Sequence, residues 1–128
     1  KFLKEDITQY VQRARFIEHA EIYTAGIAIS RAEPNKMYDQ VLIAQAADTL
    51  ISISGVVASF VISKRRDNLI GISARSLGDI NVQVIMESLQ GGGHLTNAAT
   101  QLQDISLDEA EERLKQAIDE YLDGGKKS

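Results

Sequence analysis

The stretch "GVVASFVISKRRDNLIGISARS", Gly55–Ser76, contains two apolar, strand-like runs separated by the turn-forming residues RRDN. Two such runs on either side of a short polar turn are typical of an antiparallel hairpin. Upstream, "EIYTAGIAIS" at Glu21–Ser30 predicts a strand, and the nearly continuous apolar segment Tyr38–Ile51 predicts a buried helix. Because the hairpin is antiparallel, the sheet that contains it is predicted to be mixed rather than purely parallel.

Helices alternate with strands along the rest of the chain. Residues 1–18 show helical spacing of apolar side chains, Asn81 can cap a third helix, and Ser106 can cap a last one after the strand-like "TQLQDI". The order predicts an α/β fold, a single layered domain with a mixed four- to five-stranded sheet packed by helices. Within it we expect an N-terminal helix at 1–18, the domain proper at 19–123 and a disordered tail at 124–128.

Composition narrows the classes of function. The chain has 128 residues, a formal net charge of -4 and no cysteine, which fits one domain without disulfides or thiolate metal sites. The acidic balance gives no overall attraction to nucleic acid or to an anionic membrane. No apolar run approaches the roughly 20 residues of a membrane span. Because the chain begins at Lys1 and not at Met, we expect it to be a piece of a longer protein.

The second strand of the hairpin places small and polar residues on one face. A period of two puts Gly71, Ser73 and Arg75 together, opposite a more apolar set. A guanidinium at this position can grip an anion with two donors, and Ser73 can add a hydrogen bond. The alternative is an ordinary strand end, with Arg75 paired to one of the many acidic side chains.

Three consecutive glycines, Gly91, Gly92 and Gly93, precede one of the chain's two histidines, His94. One interpretation is that Gly91 ends the preceding helix and the others form a flexible connector. The other is an anion-binding nest of backbone N–H groups with His94 at its rim. Neither a Walker A nor a dinucleotide-binding fingerprint is present. His19 is far from His94 in sequence and has no ligand-like partner spacing, so a metal site within this chain is not expected.

The separate signals combine into one pattern that resembles a known family. The segment "GISARSLGDINVQVIMESLQGGGHLTNAATQL" is similar to the associated C-terminal domain of the DHH phosphoesterases, in which a strand ending Ser-x-Arg-Ser is followed by a helix, Gly-Gly-Gly-His and Asn-Ala-Ala. The matching site positions here are Ser73, Arg75, Ser76, Gly91, Gly92, Gly93, His94 and Asn97. Thr100, where many members have glycine, favours the bacterial, membrane-anchored cyclic-di-AMP phosphodiesterases with PAS and GGDEF domains.

The resemblance implies a divided active site. An upstream DHH domain in the same chain would hold two manganese ions that generate the attacking hydroxide, while this domain binds the phosphate and the nucleotide, without a metal or membrane contact of its own. In that arrangement Arg75 and His94 neutralise phosphate charge, Ser73 and Ser76 add hydrogen bonds, and Asn97 supports the site. The expected location is the cytoplasmic face of the membrane that anchors the parent protein.

Two alternatives remain open from the sequence. One is a domain of an oligoribonuclease or phosphoadenosine phosphatase of the same family. The other is a nucleic-acid-binding or dimerisation module, as similar domains in alanyl-tRNA synthetases contact tRNA and form homodimers. The acidic net charge disfavours tRNA binding.

Overall fold

A computed structural model of the chain describes residues 6–127, which form one mixed sheet with helices on both faces. The helices are α1 (Ile7–Glu18), α2 (Gln40–Ile51), α3 (Val82–Ser88) and α4 (Leu107–Lys127). The strands are β1 (Glu21–Thr24), β2 (Ile27–Arg31), β3 (Ala58–Arg66), β4 (Leu69–Ser76), β5 (Gly92–His94) and β6 (Asn97–Gln103). The predicted α/β class is confirmed, although the sheet has six strands instead of four to five.

The strand order across the sheet is β1-β2-β3-β4-β6-β5. Only β2 and β3 are parallel, because α2 forms the crossover between them; every other neighbouring pair is antiparallel. The predicted β3–β4 hairpin lies at the centre of the sheet, and Asn68 at its turn has a positive φ of 62°. A central hairpin flanked on one side by a parallel strand produces the mixed sheet that the sequence predicts.

One of the unpredicted strands comes from a turn inside "EIYTAGIAIS". Ala25 and Gly26 both have positive φ, 47° and 77°, as in the tight turns that join antiparallel strands. The segment therefore folds back on itself as β1 and β2, not as one strand. A side chain at Gly26 would also lie 2.9 Å from the carbonyl oxygen of Gly55.

Two apolar cores lie on opposite faces of the sheet. The larger joins α3 and α4 to one face and includes Phe60, Ile62, Ile72, Met86, Leu114 and Ile118. The smaller joins α1 and α2 to the other face and includes Phe16, Tyr38, Leu42, Ile43, Leu50 and Val61. The second core stops at β3 and β4, so α2 leaves the outer strands β6 and β5 uncovered on its side of the sheet. Asn97, Gln101 and His94 are exposed there.

The two ends of the described chain are both helical. Asp6 caps α1, where the Thr8 N–H donates to its carboxylate at 2.8 Å, and residues 1–5 of the predicted helix lie outside the described residues. At the other end α4 continues to Lys127 and Ser128 lies outside the described residues, and the disordered tail at 124–128 stays a prediction. The boundary between 18 and 19 stays a prediction.

The end of α3 differs from the prediction in one detail. The Gly91 N–H donates to the Met86 carbonyl at 2.7 Å, and the Gln90 N–H donates to the Glu87 carbonyl at 3.0 Å. This pair of bonds is the Schellman motif, whose left-handed residue is usually glycine. Here that residue is Gln90, with a φ of 69°, and not Gly91.

We expect Gln90→Gly to stabilise the protein by about 0.5–1 kcal/mol, because glycine removes the steric cost of the left-handed conformation but loses more chain entropy on folding. Urea denaturation monitored by circular dichroism measures the change. Gln83→Gly, within α3, is the matched control and should destabilise by about 1 kcal/mol. A loss of stability in Gln90→Gly would contradict the assignment of this cap.

Candidate functional site

Three of the predicted site residues form a row across neighbouring strands. Arg75 in β4 lies directly opposite Asn97 in β6, and Asn97 lies directly opposite His94 in β5. Residues that pair in this way project from the same face of the sheet, with Cβ atoms about 5 Å apart. The strand pairing thus brings together a cation, an amide and an imidazole that are distant in sequence.

A second row lies beside the first and has almost no side chains. Ser73 pairs with Ala99, and Ala99 pairs with Gly92. A Cβ added at Gly92 would meet no atom within 4 Å. We call the two rows together the shelf: Arg75, Asn97 and His94 in one, Ser73, Ala99 and Gly92 in the other. The part of the shelf on β5 and β6, where Gly92, His94 and Asn97 are exposed, is an open surface on which a ligand can approach the backbone closely, whereas Ser73 and Arg75 lie at its border with α2.

The three glycines have different structural roles. A Cβ at Gly91 would lie 2.5 Å from the Cβ of Thr100, and one at Gly93 would lie 2.5 Å from the Asn97 carbonyl oxygen. Gly93 also has a φ of 144°, which side chains rarely tolerate. These two glycines let the chain lie against β6, so the predicted connector or nest is a short β-strand. Of the three, only Gly92 is left without a packing reason for being glycine.

Arg75 is held by the carboxylate of Asp48, which no motif in the sequence indicates. Its Nε donates to Asp48 Oδ1 at 2.6 Å, and its Nη1 donates to the carbonyl oxygen of Ala74 at 2.9 Å. The Arg75 side chain is 14% exposed and that of Asp48 is 60% exposed. The pairing with an acidic side chain, which was the alternative to anion binding in the sequence, is therefore present, and it fixes the guanidinium at the end of the shelf next to α2.

Ser73 lies under a second residue of α2. Its side chain is buried, and its Oγ accepts a hydrogen bond from Gln40 Nε2 at 2.8 Å. Gln40 and Asp48 are eight residues apart on α2, which places both on the side of the helix that faces β4. The polar positions of this mostly apolar helix were the available signal for these contacts.

Ser76 does not project from the shelf, so its predicted role as a substrate ligand stays a prediction that the shelf geometry does not support. It lies on the opposite face of β4 from Arg75, and its Oγ donates to the Leu95 carbonyl at 3.2 Å. Its N–H donates to the Thr96 carbonyl at 3.1 Å. Both bonds anchor the turn between β5 and β6, so Ser76 helps to position His94 and Asn97.

Other features of the described residues lie away from the shelf. A cleft of about 480 Å³ separates the start of α4 from the β3–β4 turn, and one of about 360 Å³ lies between α3 and α4. Neither is lined by a shelf residue. In residues 6–127 no group of three or more His, Asp or Glu side chains could hold a metal ion. No described helix is long and apolar enough to cross a membrane.

Comparison with known proteins gives matches over most of the chain. The family model described as the DHHA1 domain matches residues 24–124. The cyclic-di-AMP phosphodiesterase GdpP of Geobacillus thermodenitrificans is 63% identical over 126 residues, which cover 98% of this chain and 19% of the relative. The cyclic-di-AMP phosphodiesterase PdeA of Listeria monocytogenes is 60% identical over 124 residues, covering 97% and 19%. This chain thus spans about a fifth of the length of these relatives.

A solved structure shares the fold at low identity. An exopolyphosphatase-related protein from Bacteroides fragilis has a TM-score of 0.75 and 18% sequence identity. The match covers 92% of this chain and 36% of that protein. At this identity the match supports the fold alone.

The different roles of the glycines can be tested by substitution. We expect Gly91→Ala and Gly93→Ala each to destabilise the fold by about 2–3 kcal/mol, because the new methyl group overlaps β6. Gly92→Ala should change stability by no more than about 0.5 kcal/mol, since its methyl group enters open space. Urea denaturation of the three variants gives the comparison. Equal losses at all three positions would contradict the close packing of Gly91 and Gly93 against β6.

Proposed function

Because the chain belongs to the DHHA1 domain family, as its motifs predict, we propose that it is the substrate-binding domain of a cyclic-di-AMP phosphodiesterase. The relatives of about 60% identity are phosphodiesterases of this specificity. The observation that carries the proposal is the row of Arg75, Asn97 and His94 across three neighbouring strands, in which Asn97 and His94 are exposed and Arg75 lies beside α2. This row offers donors to an anionic ester, and the small residues beside it leave room for the rest of a nucleotide.

In the proposed complex the ligand phosphate lies over the row. Arg75 already uses Nε for Asp48 and one N–H of Nη1 for a backbone carbonyl, so the two N–H groups of Nη2 and the second of Nη1 are left to donate to the phosphate. His94 donates from the neighbouring strand, and Asn97 contributes its amide between them. Fixing the phosphate with donors on rigid strands holds it in one orientation for attack by a nucleophile.

The metal ions implied by the family resemblance do not fit the residues described here, which offer no suitable cluster. We propose that two manganese ions are held by a DHH domain elsewhere in a longer parent chain, whose other segments anchor it to the membrane. This fits relatives that are about five times as long as the chain. The role proposed for the present residues is to bind and orient the substrate.

Substitution on the shelf tests the binding role. We expect Arg75→Ala and His94→Ala each to weaken binding of cyclic di-AMP by about tenfold or more, since each removes a hydrogen bond to a charged group. Isothermal titration calorimetry measures the affinity, with short linear RNA as the competing ligand class. Arg113→Ala is the matched control, because Arg113 is an ion-paired arginine on α4. If Arg75→Ala and His94→Ala bind like the unmodified chain and like Arg113→Ala, or if linear RNA binds more tightly, the proposal is wrong.

A second test concerns hydrolysis. We expect the 128-residue chain to bind cyclic di-AMP without cleaving it in the presence of manganese, because the proposed metal ligands lie outside it. Chromatography of the nucleotides after incubation detects any linear product. Efficient turnover by this chain alone would contradict the divided active site.

A further inference from the structure

The Asp48 carboxylate brings a negative charge to one end of a row of residues that is proposed to bind an anion. Its Oδ1 lies 2.6 Å from Arg75 Nε, and its side chain is 60% exposed, whereas that of Arg75 is 14% exposed. An acceptor without charge, such as an amide or a backbone carbonyl, could hold the guanidinium in the same orientation. The charge of Asp48 therefore acts on a bound ligand in addition to orienting Arg75.

The row of Arg75, Asn97 and His94 has little net charge once α2 is included. With histidine counted as neutral, Arg75 supplies the one formal positive charge of the row, and Asp48 offsets it. Helix α2, which carries Asp48, contains no lysine or arginine that could compensate the carboxylate. A ligand on the row thus meets several hydrogen-bond donors but almost no excess of positive charge.

A phosphate bound to the row lies close to the Asp48 carboxylate. The nitrogens Nε and Nη belong to one planar guanidinium, and charge-assisted N–H···O bonds are about 2.8 Å long. A phosphate oxygen that accepts from an Nη group of Arg75 is therefore within about 8 Å of Asp48 Oδ1. At this separation, with one group partly exposed to water, each negative charge on the ligand is repelled enough to lower its affinity by about three- to tenfold.

Hydrolysis of a phosphodiester raises the negative charge of the group on the row. The oxygen of water bonds to phosphorus, the bond from phosphorus to one ester oxygen breaks, and that oxygen leaves as a hydroxyl group with one of the water protons. The other water proton is released when the new phosphomonoester ionises a second time, which occurs at about pH 6. The diester carries one negative charge, whereas the monoester carries about 1.5–2 at pH 7.

We propose that Asp48 discriminates between the phosphodiester substrate and the phosphomonoester product and favours release of the product, an inference that rests on the proposed function. Because the carboxylate repels each negative charge on the row, it weakens binding of the monoester more than binding of the diester. Arg75 provides the donors that orient the diester, and Asp48 limits how tightly the row holds the product.

Calorimetric affinities of the chain for cyclic di-AMP and for the linear dinucleotide pApA test the proposal at about pH 8, where the monoester carries two charges. Asp48→Asn keeps an acceptor for Arg75 Nε but removes the negative charge. We expect it to raise the affinity for pApA by about three- to tenfold more than the affinity for cyclic di-AMP. The ratio of the two affinities is the informative quantity, because a change in the orientation of Arg75 affects both ligands.

Two further variants separate the effect of charge at Asp48 from other causes. Asp48→Glu retains the negative charge and should keep the affinity ratio of the unmodified chain. Asp108, which pairs with Arg31 at 2.7 Å at the start of α4, is the matched control away from the shelf. Asp108→Asn should leave the ratio unchanged; an equal shift there would attribute the effect to the net charge of the chain and overturn the proposal.

The outcomes distinguish this inference from the proposed function. If the unmodified chain binds neither ligand, the proposed function fails. If it binds cyclic di-AMP and Asp48→Asn leaves the ratio unchanged, the row binds the nucleotide but Asp48 does not discriminate against the product. A ratio that shifts as much in Asp48→Glu as in Asp48→Asn also contradicts the inference, since charge is then not the cause. Thermal unfolding of each variant establishes that its fold is intact.

Discussion

The close approach of Gly91 and Gly93 to β6 is the contact on which the candidate site depends. Without side chains at these two positions, the chain that leaves α3 can lie against β6 and pair with it as β5. That pairing puts His94 beside Asn97, and the pairing of β6 with β4 puts Asn97 beside Arg75. The backbone ladder therefore sets the spacing of the three polar groups, and a ladder is far more rigid than a loop of the same length.

A single helix supplies most of the remaining polar chemistry. The apolar side of α2 fills the smaller core, while Asp48 holds Arg75 and Gln40 covers Ser73. The two contacts differ in their consequences. Asp48 satisfies its partner and fixes a guanidinium in place, whereas Gln40 is left with an unpaired carbonyl. The C-terminal half of α2 thus fixes the position of the Arg75 guanidinium, whereas its N-terminal end has a carbonyl group that can still accept a hydrogen bond.

Local pattern was sufficient to predict the hairpin, the apolar helix α2 and the α/β class, because each depends on periodicity within a short segment. The alternation in β4 also placed Gly71, Ser73 and Arg75 on one face. It put Ser76 on the other face, but the family motif grouped all the polar residues together. The strand at Gly92–His94 was missed because glycine has low strand propensity, and its pairing is visible only once β6 is in place. Asp48 and Gln40 were missed because their partners are distant in sequence.

The edge strands of the sheet affect the tendency of the protein to aggregate. A long, flat edge strand can pair through its backbone with a strand of another polypeptide and so begin a fibril. Here one edge strand, β1, contains a register shift between Ile22 and Thr24, and the other, β5, has only three residues. Neither edge strand is therefore well suited to pair with another chain, and this protects the open sheet against growth into larger aggregates.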